Sequence, residues 1–168
     1  MRVAASLISA MLLLTLCGCD GTNPRVATAL NQGASVGSGL PWNPMQGKVI
    51  TSWIDPKTQT MATLFGNDAA VQYARSEAGS RYPDGSVLSA VTWTQKEDAR
   101  WFGGKIPESV KSVEFVTVHG GSASPMYAYE RYEGSPLKRV SAEQSTEQRS
   151  AQGSRAEYLL AQHVALMP

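Results

Sequence analysis

The 168 residues carry 15 Lys and Arg against 14 Asp and Glu, a formal net charge of +1, with 42% hydrophobic residues. That balance gives no clustered basic stripe and so no electrostatic case for a nucleic-acid partner. Two Cys and two His leave little material for metal or thiol chemistry, and no metal site is expected.

In chain order, Arg2 stands beside the N-terminus, followed by an apolar run from Val3 to Leu16. A basic residue before an apolar stretch shorter than the roughly 20 residues of a spanning helix is a signal-peptide layout. Leu16-Cys17-Gly18-Cys19 ends it. Leu followed by two small residues and a Cys resembles a lipobox, in which the thiol takes a diacylglyceryl group. We therefore expect cleavage between Gly18 and Cys19 and a lipid anchor, including palmitate, on Cys19. The expected site is the periplasm-facing cell envelope, with the membrane as partner through the lipid. Asp20 follows the acceptor and resembles an inner-membrane retention signal. Cleavage discards Cys17 and acylation consumes Cys19, so no free thiol or disulfide remains in this sequence.

Three segments follow: a signal peptide over 1–18, a flexible tether over 19–41 and a globular domain over 42–168. The tether is rich in Gly, Ser, Asn and Ala and buries too little to offset its ordering entropy; a short helix fits Arg25–Asn31. Within the domain, Met45–Trp53 and Thr58–Phe65 read as strands joined across Asp55-Pro56-Lys57. Asn67 or Asp68 caps a helix to about Ala78, with Gly79 as its stop. Tyr82-Pro83-Asp84-Gly85 is a turn, with Pro fixing φ and Gly taking the left-handed position. It launches a strand over Ser86–Thr94 that is apolar on both faces, Val87, Val91 and Trp93 against Leu88 and Ala90. Such a strand belongs near the middle of a sheet. Trp101-Phe102-Gly103-Gly104 is a loop. Ser112–Val118 and Met126–Tyr132 are further strands, 137–153 is a polar loop or solvated helix, and a helix closes the chain from about Ser154. Its apolar stripe is Tyr158, Leu159, Ala161, Val164 and Ala165. The fold class is α+β, a mostly antiparallel sheet packed with helices.

No catalytic constellation emerges, and whether the chain is an enzyme stays open. His119 and His163 are far apart, without a neighbouring acid at metal-ligand spacing, and read as a loop-edge residue and a closing-helix residue. Gly103-Gly104 and Gly120-Gly121 are turns rather than phosphate loops. Gly121-Ser122-Ala123-Ser124 lacks the second Gly of a nucleophile elbow. Trp93, Trp101, Phe102 and Phe115 could form one wall of an apolar pocket, if the 101–102 loop lies over the sheet beside Trp93. The alternative is plain core and lid packing.

The stretches Thr60-Met61-Ala62-Thr63-Leu64-Phe65-Gly66-Asn67-Asp68-Ala69-Ala70, Tyr82-Pro83-Asp84-Gly85-Ser86-Val87-Leu88 and Val91-Thr92-Trp93 resemble the cytochrome P-460 domain family. The resemblance runs in order from about Met45 to Pro136. It implies an antiparallel sheet with packed helices. It also implies periplasmic c-type haem proteins that oxidise hydroxylamine or bind nitric oxide, with haem held by a C-x-x-C-H motif and in some members a Lys crosslink. This sequence departs from that pattern, because Ala156–His163 contains no Cys. Lys96, Lys105 and Lys111 lie near the central strands, and none is matched to the crosslinking Lys. The resemblance thus carries the fold and not the activity. The expected function is a tethered binding or accessory module without covalent haem, its protein partner or small ligand unknown. One alternative is a redox enzyme holding haem non-covalently through His163 or His119. Another is an envelope assembly factor binding through the sheet edge or the polar 138–153 segment.

Overall fold

The chain divides into two units, residues 1–30 and 31–168, and a computed structural model describes residues 31–76, 81–120, 126–141 and 146–164, all in the second. Gly18, Cys19, Asp20, nearly all of the Arg25–Asn31 helix and the Gly79 stop lie outside the described residues. Six strands, β1 (Lys48–Asp55), β2 (Thr60–Gly66), β3 (Val87–Glu97), β4 (Lys105–Val118), β5 (Tyr127–Glu133) and β6 (Lys138–Arg139), form one sheet in sequence order. Every pairing is antiparallel. Two helices, α1 (Asp68–Ser76) and α2 (Thr146–Leu160), complete an α+β domain.

Side chains alternate across a strand, so each face of the sheet collects its own core. On the helix side, Ile50, Leu64, Leu88, Ala90, Val116 and Val118 meet Ala70, Val71 and Ala74 of α1 and Ala156 and Leu159 of α2. On the other face, Val91, Trp93, Val113 and Phe115 are buried. β3 therefore lies inside the sheet and is apolar on both sides, as its sequence requires. Ile50 and Trp53 stand three positions apart, an odd spacing that would send them to opposite faces of a regular strand. The register shifts between Val49 and Thr51, and this bulge turns both towards the helices.

The start of the domain departs from the sequence expectation. Residues 31–41, read as the end of a flexible tether, lie against the sheet. Ala34, Val36, Leu40 and Trp42 pack on the second core. Trp93 Nε1 donates to Ala34 O at 2.8 Å, and Asn31 Nδ2 donates to Pro107 O at 2.9 Å. Small and polar residues hid this packing, because the large partners that bury them belong to the sheet. Trp93→Phe keeps an aromatic ring in the core and removes the donor together with part of the indole's volume. A single neutral hydrogen bond is worth about 1 kcal/mol net, so the variant should stay folded while amide exchange over 32–40 accelerates. Unchanged exchange there would show that packing alone holds the segment.

Two further boundaries move. β4 begins at Lys105, before the expected Ser112, because Pro107 and its neighbours break strict alternation. Register shifts around Trp93 absorb the irregularity. α2 begins at Thr146, before the expected Ser154, and ends at Leu160, so His163 lies beyond the helix rather than in it. Its first turns carry no apolar stripe that periodicity could detect.

Candidate functional site

The four aromatics that could have formed one pocket wall do not come together. Trp93 and Phe115 are 8% and 2% exposed in the second core, whereas Trp101 and Phe102 are 75% and fully exposed on the turn joining β3 to β4. Their side chains have no core to enter, because the hairpin carries that turn outward instead of folding it over the sheet. What Trp93 does border is an open cleft of about 560 Å³ that it shares with Ile54, Met61, Thr63 and Pro107. Ile54 is 60% exposed at its rim.

The two histidines fare differently from one another. His119 is exposed at the end of β4, where its backbone N–H donates to Met126 O at 2.9 Å. It lines a cleft of about 180 Å³ with Tyr82, Asp84, Gly120 and Met126. That volume is below the roughly 300–1,000 Å³ of small-molecule sites. In the same cleft Arg81 Nη1 donates to Met126 Sδ at 2.7 Å, and Gly120 N–H donates to Asp84 Oδ1 at 2.5 Å. His163 is exposed and lines none of these clefts. Lys96 and Lys111 are exposed, and Lys105 pairs with Glu97. Among the described residues no group of three or more His, Cys, Asp or Glu could hold a metal ion. Likewise, no helix among them is long and apolar enough to cross a membrane.

One buried polar site is absent from the sequence reading. Glu114 sits in the middle of β4 with its side chain 3% exposed, facing α2. Arg155 Nε donates to Oε1 at 3.0 Å and to Oε2 at 3.2 Å, while Nη2 donates to Oε2 at 2.8 Å. Tyr129 Oη donates to Oε1 at 2.5 Å, and Arg131 Nη1 stands 3.9 Å from the same oxygen. Burial pushes the Glu114 carboxyl up, but the hydrogen bonds from Arg155 and Tyr129 and the two guanidinium charges outweigh it. The net direction is below the usual carboxylate range. Burial and then the Glu114 contact push the Tyr129 hydroxyl well above its ordinary value. The guanidinium of Arg155 also lies 5.1 Å from the Tyr158 ring centre and 5.9 Å from that of Trp53. Those two rings meet edge to face at 6.2 Å.

Chemically this is a fastener. Both carboxylate oxygens are engaged by Arg155 and Tyr129 inside the domain, so Glu114 is not presented to a substrate, and Tyr129 holds its proton too tightly to give it up near neutral pH. One signal in the sequence did mark it. Glu114 is a lone charge inside Ser112-Val113-Glu114-Phe115-Val116, and a carboxylate buried in a strand needs a counter-charge. Its partner lies 41 residues away, beyond the reach of local pattern.

A six-stranded antiparallel meander with two helices on one face defines the class: an α+β domain with its cores on both sides of the sheet. The family follows from residues 45–152, which match the family model Cytochrome P460. The chain belongs to the cytochrome P460 family, and the match takes in all six strands, α1 and the first half of α2. No curated protein matches the chain. Arg155 and Leu159, which fix α2 to the sheet, lie just past the matched span.

A cytochrome family implies haem, and the residues present can be tested for it. This sequence has no Cys after Cys19, hence no C-x-x-C-H motif. Among the described residues, His119 lines the cleft of about 180 Å³ and His163 lines neither that cleft nor the one beside Trp93. These residues do not fit covalently held haem.

Proposed function

We propose that this chain is a lipid-anchored, periplasm-facing envelope protein whose P460 domain serves as a binding or accessory module for a small apolar ligand. The observation that carries the binding role is the open cleft of about 560 Å³ beside Trp93, within the volume range of small-molecule sites. Met61, Ile54 and Pro107 give it apolar walls, and the hydroxyls of Ser52 and Thr63, 2.9 Å apart, lie at one side. The anchor rests on the Leu16-Cys17-Gly18-Cys19 pattern behind its apolar run. Asp20 favours the inner membrane.

Family membership supports a second reading, in which the domain holds haem non-covalently through His119 or His163. Titrating the detergent-solubilised full chain with hemin and with an apolar fluorescent dye separates the two. We expect dye binding that weakens several-fold in Ile54→Lys, a rim substitution that leaves the core intact. A Soret band that disappears in His119→Ala or His163→Ala would favour the haem reading instead. Mass spectrometry of Cys19 tests the anchor, and unmodified Cys19 in the processed protein would remove it.

A further inference from the structure

The hairpin between β3 and β4 ends in a hydrogen-bonded turn that leaves its two largest side chains exposed. Asp98 N–H donates to Gly104 O and Gly104 N–H to Trp101 O, both at 2.9 Å, and Arg100 N–H donates to Asp98 Oδ1 at 2.9 Å. Gly103 takes φ +74°, a left-handed conformation that suits glycine. The aromatics are thus displayed by a closed backbone rather than by a loose loop, with Trp101 75% and Phe102 fully exposed. Around them stand Arg100, paired with Asp98, and Lys105, paired with Glu97. An apolar tip ringed by charges matches the headgroup layer of a bilayer, where Trp rings and basic side chains concentrate.

The start of the domain supplies the second observation. Asn31 is hydrogen-bonded to Pro107 O, and Gly33 lies against the backbone of Glu108, where an added Cβ would come within 2.9 Å of the carbonyl oxygen. The chain therefore enters the domain on the same hairpin arm that bears Trp101 and Phe102. Pro107 and Phe102 are five residues apart along the chain, so at most about 17 Å separates them. The stretch from Cys19 to Asn31 can span at most about 40 Å. Both contacts can reach one surface together, and the anchor makes the second contact intramolecular, so even weak insertion is populated.

We infer that the tip of the β3–β4 hairpin is a second membrane contact, with Trp101 and Phe102 entering the headgroup region of the phospholipid bilayer that holds the chain at Cys19. The inference rests on the anchor proposed above. It fixes the domain's orientation, with the hairpin arm down and the entry to the chain beside it.

The test uses the full-length processed protein in vesicles of phosphatidylethanolamine and phosphatidylglycerol whose acyl chains are brominated near the headgroup. Tryptophan fluorescence should be quenched, and Trp101→Phe should abolish most of that quenching. Phe102→Ser, with Trp101 in place, should reduce it at least twofold. Both side chains are exposed, so thermal melts should match the wild type. Quenching that persists in Trp101→Phe would overturn the inference, as would its absence from vesicle-bound protein with acylated Cys19. Unmodified Cys19 would remove the anchor and this inference together, and mass spectrometry distinguishes that outcome from the others.

Discussion

Arg155→Met should destabilise the domain by about 3–5 kcal/mol, the range for removing one partner of a buried ion pair. Domains are stable by only about 5–15 kcal/mol in total, so the melting temperature should fall by roughly 10 °C or more. The loss arises because Glu114 stays behind in the core with Tyr129 and a more distant Arg131 as its remaining company. Losing Arg155 also strips the cation from the Trp53 and Tyr158 rings and unpins α2.

The pH dependence separates this mechanism from a general packing defect. In the wild type the folded Glu114 carboxyl is held below its ordinary value. Its contribution is present above the unfolded pKa, about 4.3, and is lost as pH falls through the folded pKa. Without Arg155, burial is opposed only by the Tyr129 hydrogen bond and the more distant Arg131, so the folded carboxyl moves upward from its wild-type position. An upward move of the folded carboxyl makes the variant lose more stability relative to wild type as pH rises through the two folded values. The variant's deficit against wild type should therefore be larger at pH 7 than at pH 4.5. Replacing both partners in Glu114→Leu/Arg155→Met should recover much of the loss, since a hydrophobic pair of similar volume is often neutral. A single-variant loss under about 1 kcal/mol, or one independent of pH, would show that the pair is a surface-like bridge.

The sheet was legible where local chemistry sets it. β3 announced its position inside the sheet through Leu88 and Ala90 on one face and Val91 and Trp93 on the other. The Tyr82–Gly85 turn was legible because Gly85, at φ +77°, occupies a conformation that few other residues accept. The site was less legible. Trp101 and Phe102 are of the type that usually fills a core, and no local pattern tells a core aromatic from one displayed on a hairpin tip. Exposure of that pair is a property of the long β3–β4 hairpin, whose parts nearest the tip, 95–97 and 105–111, lie outside the expected strands Ser86–Thr94 and Ser112–Val118. Residues 31–41 were misread for the converse reason, since small residues can pack tightly when the sheet supplies the bulk.

The second large effect is expected at Asn67, where the two motifs that suggested the family meet in space. Gly66-Asn67-Asp68 ends β2 and opens α1, while Pro83-Asp84-Gly85 opens β3. Asn67 Oδ1 accepts from Ala70 N–H at 3.0 Å, capping α1, and from Val87 N–H at 3.2 Å. Its Nδ2 donates to Gly85 O at 2.8 Å, and its backbone N–H donates to Val87 O at 3.0 Å. One amide side chain therefore joins the end of β2, the start of α1 and the turn before β3. Gly66 permits the approach, because a Cβ there would meet Ile50 Cδ1 at 2.8 Å and the Ala70 Cβ at 3.0 Å. Asn67→Ala loses a cap worth about 0.5–2 kcal/mol and leaves the Val87 amide and the Gly85 carbonyl to find other partners, at about 1 kcal/mol or more. We expect a total near 2–3 kcal/mol, read from urea midpoints at unchanged m-value. Asn67→Asp separates the roles, since a carboxylate keeps the acceptor and the cap but cannot donate to Gly85 O. It should recover the helix cap and the Val87 contact, and not the bond to Gly85 O. Full recovery by Asp would reduce Asn67 to an ordinary helix cap. A loss that Asp leaves unrepaired would place its weight on the turn, and the spacing between the two motifs would then be set by one side chain's reach.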